Sequence, residues 1–297
     1  MNNSKARKTA AAGILVTLLV GVLFGWVGGS GEVQHLGLSA FGWCVAIAFL
    51  IQVIAFIPAF IYRTEHFYDL VGGLTYITVT LIALALAPEV SRRGWIVSGL
   101  IIVWAARLGA FLFVRTRKAG KDGRFDAIKQ DFIRFLLAWL MQGVWVTFTA
   151  AAALAIITNS TNAPMHFLGW FGVGVWLFGF LIELIADIQK YKFKQKPQNK
   201  DAFINTGLWS LSRHPNYFGE ITLWVGVALI AVSELNGWQY ITLISPIFVF
   251  ILLKYISGVS LLEKRADERW GDDSAYQDYK ARTPELVLGM TARTTRK

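Results

Sequence analysis

The densest run of chemically capable side chains is Gly207-Leu-Trp-Ser-Leu-Ser-Arg-His-Pro-Asn-Tyr-Phe-Gly-Glu220. Pro215 has no backbone donor and is preorganised for a first helical turn, so a helix is expected from Asn216 to Glu220 onward, with Arg213 and His214 just outside it. Free N–H groups at such a start, beside a guanidinium and an imidazole, suit a phosphate; they also fit a structural N-cap. Upstream, Glu183 and Asp187 lie four residues apart on one helical face, which Lys190 and Lys194 continue. Carboxylates accept hydrogen bonds from ribose or amide groups and cations take phosphate oxygens, so this surface matches a ligand carrying both. The lysines alone equally fit a juxtamembrane helix beside anionic lipid. Asp69, Glu65, Arg107, Glu220 and Gln52 are further polar side chains in or at the edge of apolar stretches, where an ionisable group is a site candidate by default. Asp69 and Glu65 share a helical face; in a poorly hydrated cavity their repulsion would keep one protonated near neutrality. Arg63 and His66 offer the alternative of a plain ion-paired cluster.

The elements that must hold these residues are set by composition. Of 297 residues, 55% are hydrophobic and 16% charged, with 12 Trp and 21 Phe, against about 25% charged in ordinary soluble domains. Such an apolar excess needs lipid as a second solvent. A bilayer core takes about 20 mostly apolar residues per helix. Eight stretches qualify: Thr9–Gly28, Leu38–Tyr62, Tyr68–Ala87, Trp95–Val114, Phe132–Ile157, Phe167–Ala186, Phe218–Val232 and Trp238–Leu262. The seventh is short and opened by Glu220. The expected class is therefore all-α, a polytopic membrane bundle of seven or eight spans. Lys and Arg crowd the loop after the fourth span (Arg115 to Lys129), the segment after the sixth (Lys190 to Arg213) and the tail, which puts both termini in the cytosol. Arg92 and Arg93 alone disagree. Residues 1–36 read as a retained anchor helix and its connection, and 37–297 as one membrane domain with cytoplasmic loops. Gly21, Gly25 and Gly29 suggest a helix-packing face. One cysteine, Cys44, and four scattered histidines argue against disulfides and metal. The net charge of +10 is read as a basic membrane face, with no nucleic-acid partner. Neither a dinucleotide glycine fingerprint nor a P-loop occurs, so a nucleotide would be held by helix ends and side chains.

Gly207-Leu-Trp, Ser212-Arg-His-Pro-Asn-Tyr217 and Gly219-Glu220, with Ala186-Asp187, Gln189-Lys190, Tyr276, Tyr279 and Thr283-Pro284, resemble the DUF1295 group of the steroid 5-alpha-reductase family over about residues 60–290. Isoprenylcysteine carboxyl methyltransferases carry a similar Arg-His-Pro stretch. The resemblance implies a membrane reductase that takes NADPH from the cytosol and reduces a conjugated carbon–carbon double bond in a hydrophobic, steroid-like or other lipid enone drawn from the bilayer. It implies cofactor contacts from Arg107, Asn216, Tyr217, Glu220 and Asp187, with Glu183 one turn earlier, and leaves the first span as an N-terminal addition. The family's acid matches Asp69, 38 residues before Arg107, with Glu65 as rival. Its partner tyrosine is replaced here by Trp104, an indole that donates but does not give up a proton.

The expected reaction is hydride transfer to the β-carbon while Asp69 or Glu65 acts on the carbonyl oxygen. Phosphates are expected near Arg107, Arg213 and His214, and the 2′-phosphate of NADPH near Lys118, Lys194 or Arg282, with Tyr279 beside the cofactor. Trp104, Tyr68 and Gln52 are expected to line the substrate pocket. Two other classes remain: an S-adenosylmethionine-dependent membrane methyltransferase, and a non-catalytic lipid-binding or transport protein.

Overall fold

In the computed structural model the described residues are 3–119, 123, 125–159 and 164–289, with backbone alone for 3 and 115–119. Lys118, expected at the 2′-phosphate, therefore has its side chain outside the described residues. The structure is built almost wholly from helices: α1 (Asn3–Gly28), α2 (Ala40–Ile61), α3 (Tyr68–Leu86), α4 (Arg92–Ala119), α5 (Phe132–Thr149), α6 (Ala151–Thr158), α7 (Phe167–Gln195), α8 (Pro215–Ala231), α9 (Ser245–Ile251), α10 (Val259–Trp270) and α11 (Ser274–Arg282). A two-residue antiparallel pair, β1 (Gln34–His35) and β2 (Leu38–Ser39), joins α1 to α2. Among the described residues, seven helical segments are long and apolar enough to cross a membrane. The seventh of the eight expected stretches, the short one opened by Glu220, forms α8, whose 17 residues fall outside that set. The fifth expected span breaks at Ala150 into α5 and α6. The last is composite, with a 3₁₀ stretch (Gly237–Ile244), α9, a π turn (Leu252–Ile256) and α10 in succession.

Two compact units divide the chain. The first holds Met1–His166 with Ile230–Ser245; the second holds Phe167–Leu229 with Pro246–Lys297. Within the first, α1 packs on α2 and α5, α2 on α3 and α5, and α3 along α4. The expected glycine face of α1 is realised. A Cβ on Gly21 would meet the Phe49 ring at 2.8 Å, one on Gly25 would lie 3.5 Å from Val45, and Gly29 lies against the Ser39 hydroxyl. Threonines in the spans bond their own helix, Thr75 to the Val71 carbonyl and Thr147 to the Gly143 carbonyl, so they cost little in lipid. Ser39 caps α2 and Asp131 caps α5, and the latter also holds Arg7 at 2.6 Å. Arg7 keeps the Asp131 carboxyl below its ordinary range.

In the second unit α7 and α8 meet backbone to backbone. A Cβ on Gly179 would lie 2.5 Å from the Leu223 nitrogen; one on Gly219 would lie 2.6 Å from the Gly179 carbonyl and from the Glu183 nitrogen; one on Gly226 would lie 2.6 Å from the Trp176 nitrogen. Only glycine fits such a crossing.

Candidate functional site

The second unit gathers the polar motifs. The α7–α8 glycine seam brings the backbone of Glu183 against Gly219, the residue before Glu220. Glu183 and Asp187 are buried, 2% and 7% exposed. One turn further along α7, Gln189 accepts from the Leu208 N–H at 3.0 Å, and Gly207 adopts φ +63 where any side chain would strike the Gln189 amide. Trp209 donates its indole N–H to the Ala186 carbonyl at 3.1 Å and lies under the Lys190 ammonium, 4.5 Å from ring centre to nitrogen. The Gly207-Leu-Trp motif is thus a clasp that fixes the following loop to α7.

α8 begins at Pro215, as the proline predicts, with the Phe218 N–H closing the first turn on the His214 carbonyl. Ahead of it, Glu263 of α10 receives both basic residues. Arg213 Nη1 donates to Oε2 at 2.5 Å, and His214 Nε2 lies 2.8 Å from Oε1. The His214 ring stacks on Tyr217 at 5.8 Å. Burial holds the His214 imidazole below its ordinary value although Glu263 pulls the other way. The segment after α11 locks the motif from behind: the Arg213 N–H donates to the Pro284 carbonyl and the Ser212 hydroxyl to the Leu286 carbonyl. Tyr279 donates to the Trp209 carbonyl at 2.6 Å, and Tyr276 to Asp267 at 3.2 Å. Tyr279 thus braces the motif through its hydroxyl, and Tyr276 ties α11 to α10. Arg282 binds the carbonyl of Asp278 on its own helix, and Lys194 is exposed at the end of α7.

Glu263 is the residue that sequence reasoning missed. Its signal was indirect: an Arg-His pair largely buried at the start of an apolar helix needs an acid somewhere in the chain.

In the first unit, Glu65 is buried and pairs with Lys129 at 3.0 Å, which the Glu65 carboxylate holds above its ordinary pKa. This corrects the expected partners. Arg63, at φ +52, places its guanidinium 3.9 Å from the Phe60 ring centre and donates to the Lys129 carbonyl, and His66 is exposed. Asp69 is half-buried one turn beyond Glu65. Tyr68 donates to the Ala138 carbonyl at 2.9 Å inside a cluster of Phe56, Phe125, Phe135 and Trp139. Trp104 is buried edge-on to Tyr76. Gln52 is fully buried and donates to Thr75 at 2.9 Å, leaving its carbonyl oxygen without a hydrogen bond. Arg107 is half-buried in the middle of α4.

No solved structure matches the chain. An uncharacterized protein of Schizosaccharomyces pombe is 22% identical over 219 residues, 63% of this chain and 62% of the yeast protein, so the match spans less than two thirds of that relative. The family model described as a protein of unknown function, DUF1295, matches residues 55–283, the stretch from the second half of α2 through α11 that carries the Glu263-locked motif, and the chain belongs to this family.

Proposed function

We propose that this membrane protein is an NADPH-dependent reductase of a hydrophobic enone, related to the steroid 5-alpha-reductases. The observation that carries the reading is the pair of buried carboxylates, Glu183 and Asp187, at a helix crossing whose partner helix starts within the Arg-His-Pro-Asn-Tyr motif. An ionisable side chain buried at such a crossing is a site candidate, and a carboxylate has enough lone pairs to accept from a polar ligand as well as from the chain. The donor set fits the cofactor's polar half. Glu183, Asp187 and Glu220 would accept from ribose or carboxamide groups, Asn216 and Tyr217 would present the start of α8 to a phosphate, and Lys194 or Arg282 would meet the 2′-phosphate. Arg213 and His214 would contribute with Glu263 still attached, Arg213 through its remaining donors. When bound, the cofactor would supply a hydride.

On the substrate side, Asp69 is the proposed acid. Glu65 is buried and engaged by the Lys129 ammonium at 3.0 Å. Asp69 is a half-buried carboxyl in the first turn of α3, where it can act on a carbonyl oxygen. Trp104 would contribute an indole N–H and apolar area, and Gln52 its unused carbonyl. Ligand-dependent thermal stability of the detergent-purified protein tests the reading, because a ligand bound only by the native state raises its melting temperature. A rise with NADPH is expected. A rise with S-adenosylmethionine and none with NADPH would overturn the reductase in favour of methyl transfer.

A further inference from the structure

We propose that the first unit carries, at the end of its helices opposite the Asp69 end, a binding site for an ammonium group taken from a zwitterionic phospholipid headgroup or from a soluble amine. The site is a cavity of about 480 Å³ lined by Trp26, Gly29, Glu32, Ser39 and Trp238 among others. That volume lies within the usual range of small-molecule pockets.

Three features select a cation. The first is Glu32, whose carboxylate accepts the Phe41 N–H at 3.0 Å and the Thr158 hydroxyl at 2.6 Å, yet is ion-paired with no lysine or arginine among the described residues. Its environment withholds solvent: burial raises the Glu32 carboxyl above its ordinary range, and His35 is the basic side chain near enough to pull it back. A carboxylate so placed gains from a positive charge supplied from outside. The second is aromatic. Trp26 and Trp238 are 75% and 72% exposed although both line the cavity. An ammonium over an indole face gains roughly 0.5–2 kcal/mol. The third is the C-terminal end of α1 at Gly28, whose last carbonyls give the rim a partial negative charge.

The rim is shaped for close approach. Gly31, Leu36, Gly37 and Gly237 all have positive φ, so the chain turns tightly here, and open space lies beside Gly31 and Gly237. Leu36 is 95% and Val33 60% exposed, side chains suited to dipping into a bilayer surface. The cavity then opens at the level where lipid headgroups lie.

The test uses the full-length protein in mixed micelles holding equal phosphatidylethanolamine and phosphatidylglycerol, with bound lipid counted by mass spectrometry. Phosphatidylethanolamine is expected to be enriched by about tenfold on the protein, the scale of 1.4 kcal/mol. Glu32→Gln and Trp238→Leu should each remove that enrichment. Trp95→Leu, which deletes another exposed indole, on α4, should leave it. Displacement of the lipid by millimolar choline assigns the site to the ammonium alone, and resistance to choline assigns it to the whole headgroup. Equal retention of phosphatidylglycerol, or enrichment that survives both substitutions, overturns the proposal. Binding of NADPH is read separately in the same samples, so the two readings fail independently.

Discussion

Two acids one turn apart, Glu65 and Asp69, have been given different work by residues far away in sequence. Lys129 reaches Glu65 from 64 positions downstream, and the pair is buried at the carboxylate end. Glu65→Gln should therefore act on stability, because it leaves the Lys129 ammonium with the more exposed Asp126 carboxylate in place of the buried one, and should spare the rate of any hydride step. Asp69→Asn should do the opposite: single-turnover NADPH oxidation is expected to fall about 10²-fold or more with cofactor affinity kept. Equal loss in both variants, or full activity in Asp69→Asn, would remove Asp69 as the acid. A second expectation concerns His214. Its folded pKa is depressed below 6.5 by burial, so on acidification the unfolded chain takes up a proton that the folded chain refuses. The contribution to stability is present above that value and is lost as pH falls through it. The melting temperature should drop between about pH 7.5 and about pH 5.5, and His214→Gln should flatten the drop. Both the Lys129 and the Glu263 partners escaped a reading of the sequence for one reason. Spacing reveals neighbours on one helix, whereas these contacts join segments some 50 to 64 residues apart.

Among the elements, hydropathy was enough to locate the spans, because a bilayer-crossing segment must be long and apolar whatever its neighbours are. Where a span breaks was less legible. Ala150 sits between Thr149 and Ala151 with no glycine or proline to mark it, and the π turn at Leu252–Ile256 has an ordinary apolar sequence. The α7–α8 seam was present in the sequence as Gly172 and Gly179, and Gly219 and Gly226, each pair seven apart, but helical glycines are common in membranes and their spacing alone names no partner. The structure makes the seam testable. Gly219→Ala sets a methyl group 2.6 Å from backbone atoms of α7, which have no side-chain freedom to yield. A cost of about 1–3 kcal/mol is expected, with a weakened NADPH-induced rise in melting temperature as Glu183 and Glu220 are displaced. Gly174→Ala, at a position of α7 where a Cβ meets nothing within 4 Å, is the comparison and should be neutral or slightly stabilising. Identical behaviour of the two variants would mean that the seam bears no stability.

For the molecule as a whole, the open question is which way it faces, and the count of positive charges had one discordant pair, Arg92 and Arg93. Arg93 no longer counts. It is 1% exposed, its Nε lies 3.1 Å from Glu234, and its two Nη atoms donate to the Ile230 and Pro164 carbonyls, with the Ser233 hydroxyl beside them. A charge neutralised inside the protein exerts no pull toward the cytosol, so the rule is left with Arg92 against the basic loops and tail. In the first unit, the loop between α2 and α3 and the hairpin between α1 and α2 lie at opposite ends of the same helix. The prediction is that the α2–α3 end faces the cytosol. It is read by introducing one cysteine at a time into a Cys44→Ala background, where the buried native thiol is gone. His66→Cys, at an exposed polar position, should react with a membrane-impermeant maleimide only in inverted vesicles. Leu36→Cys, at the hairpin tip, should react only in intact cells or right-side-out vesicles. Labelling of Leu36→Cys from the cytosolic side would invert the orientation and place the Asp69 end away from the NADPH pool, a result no reductase of this kind could accommodate.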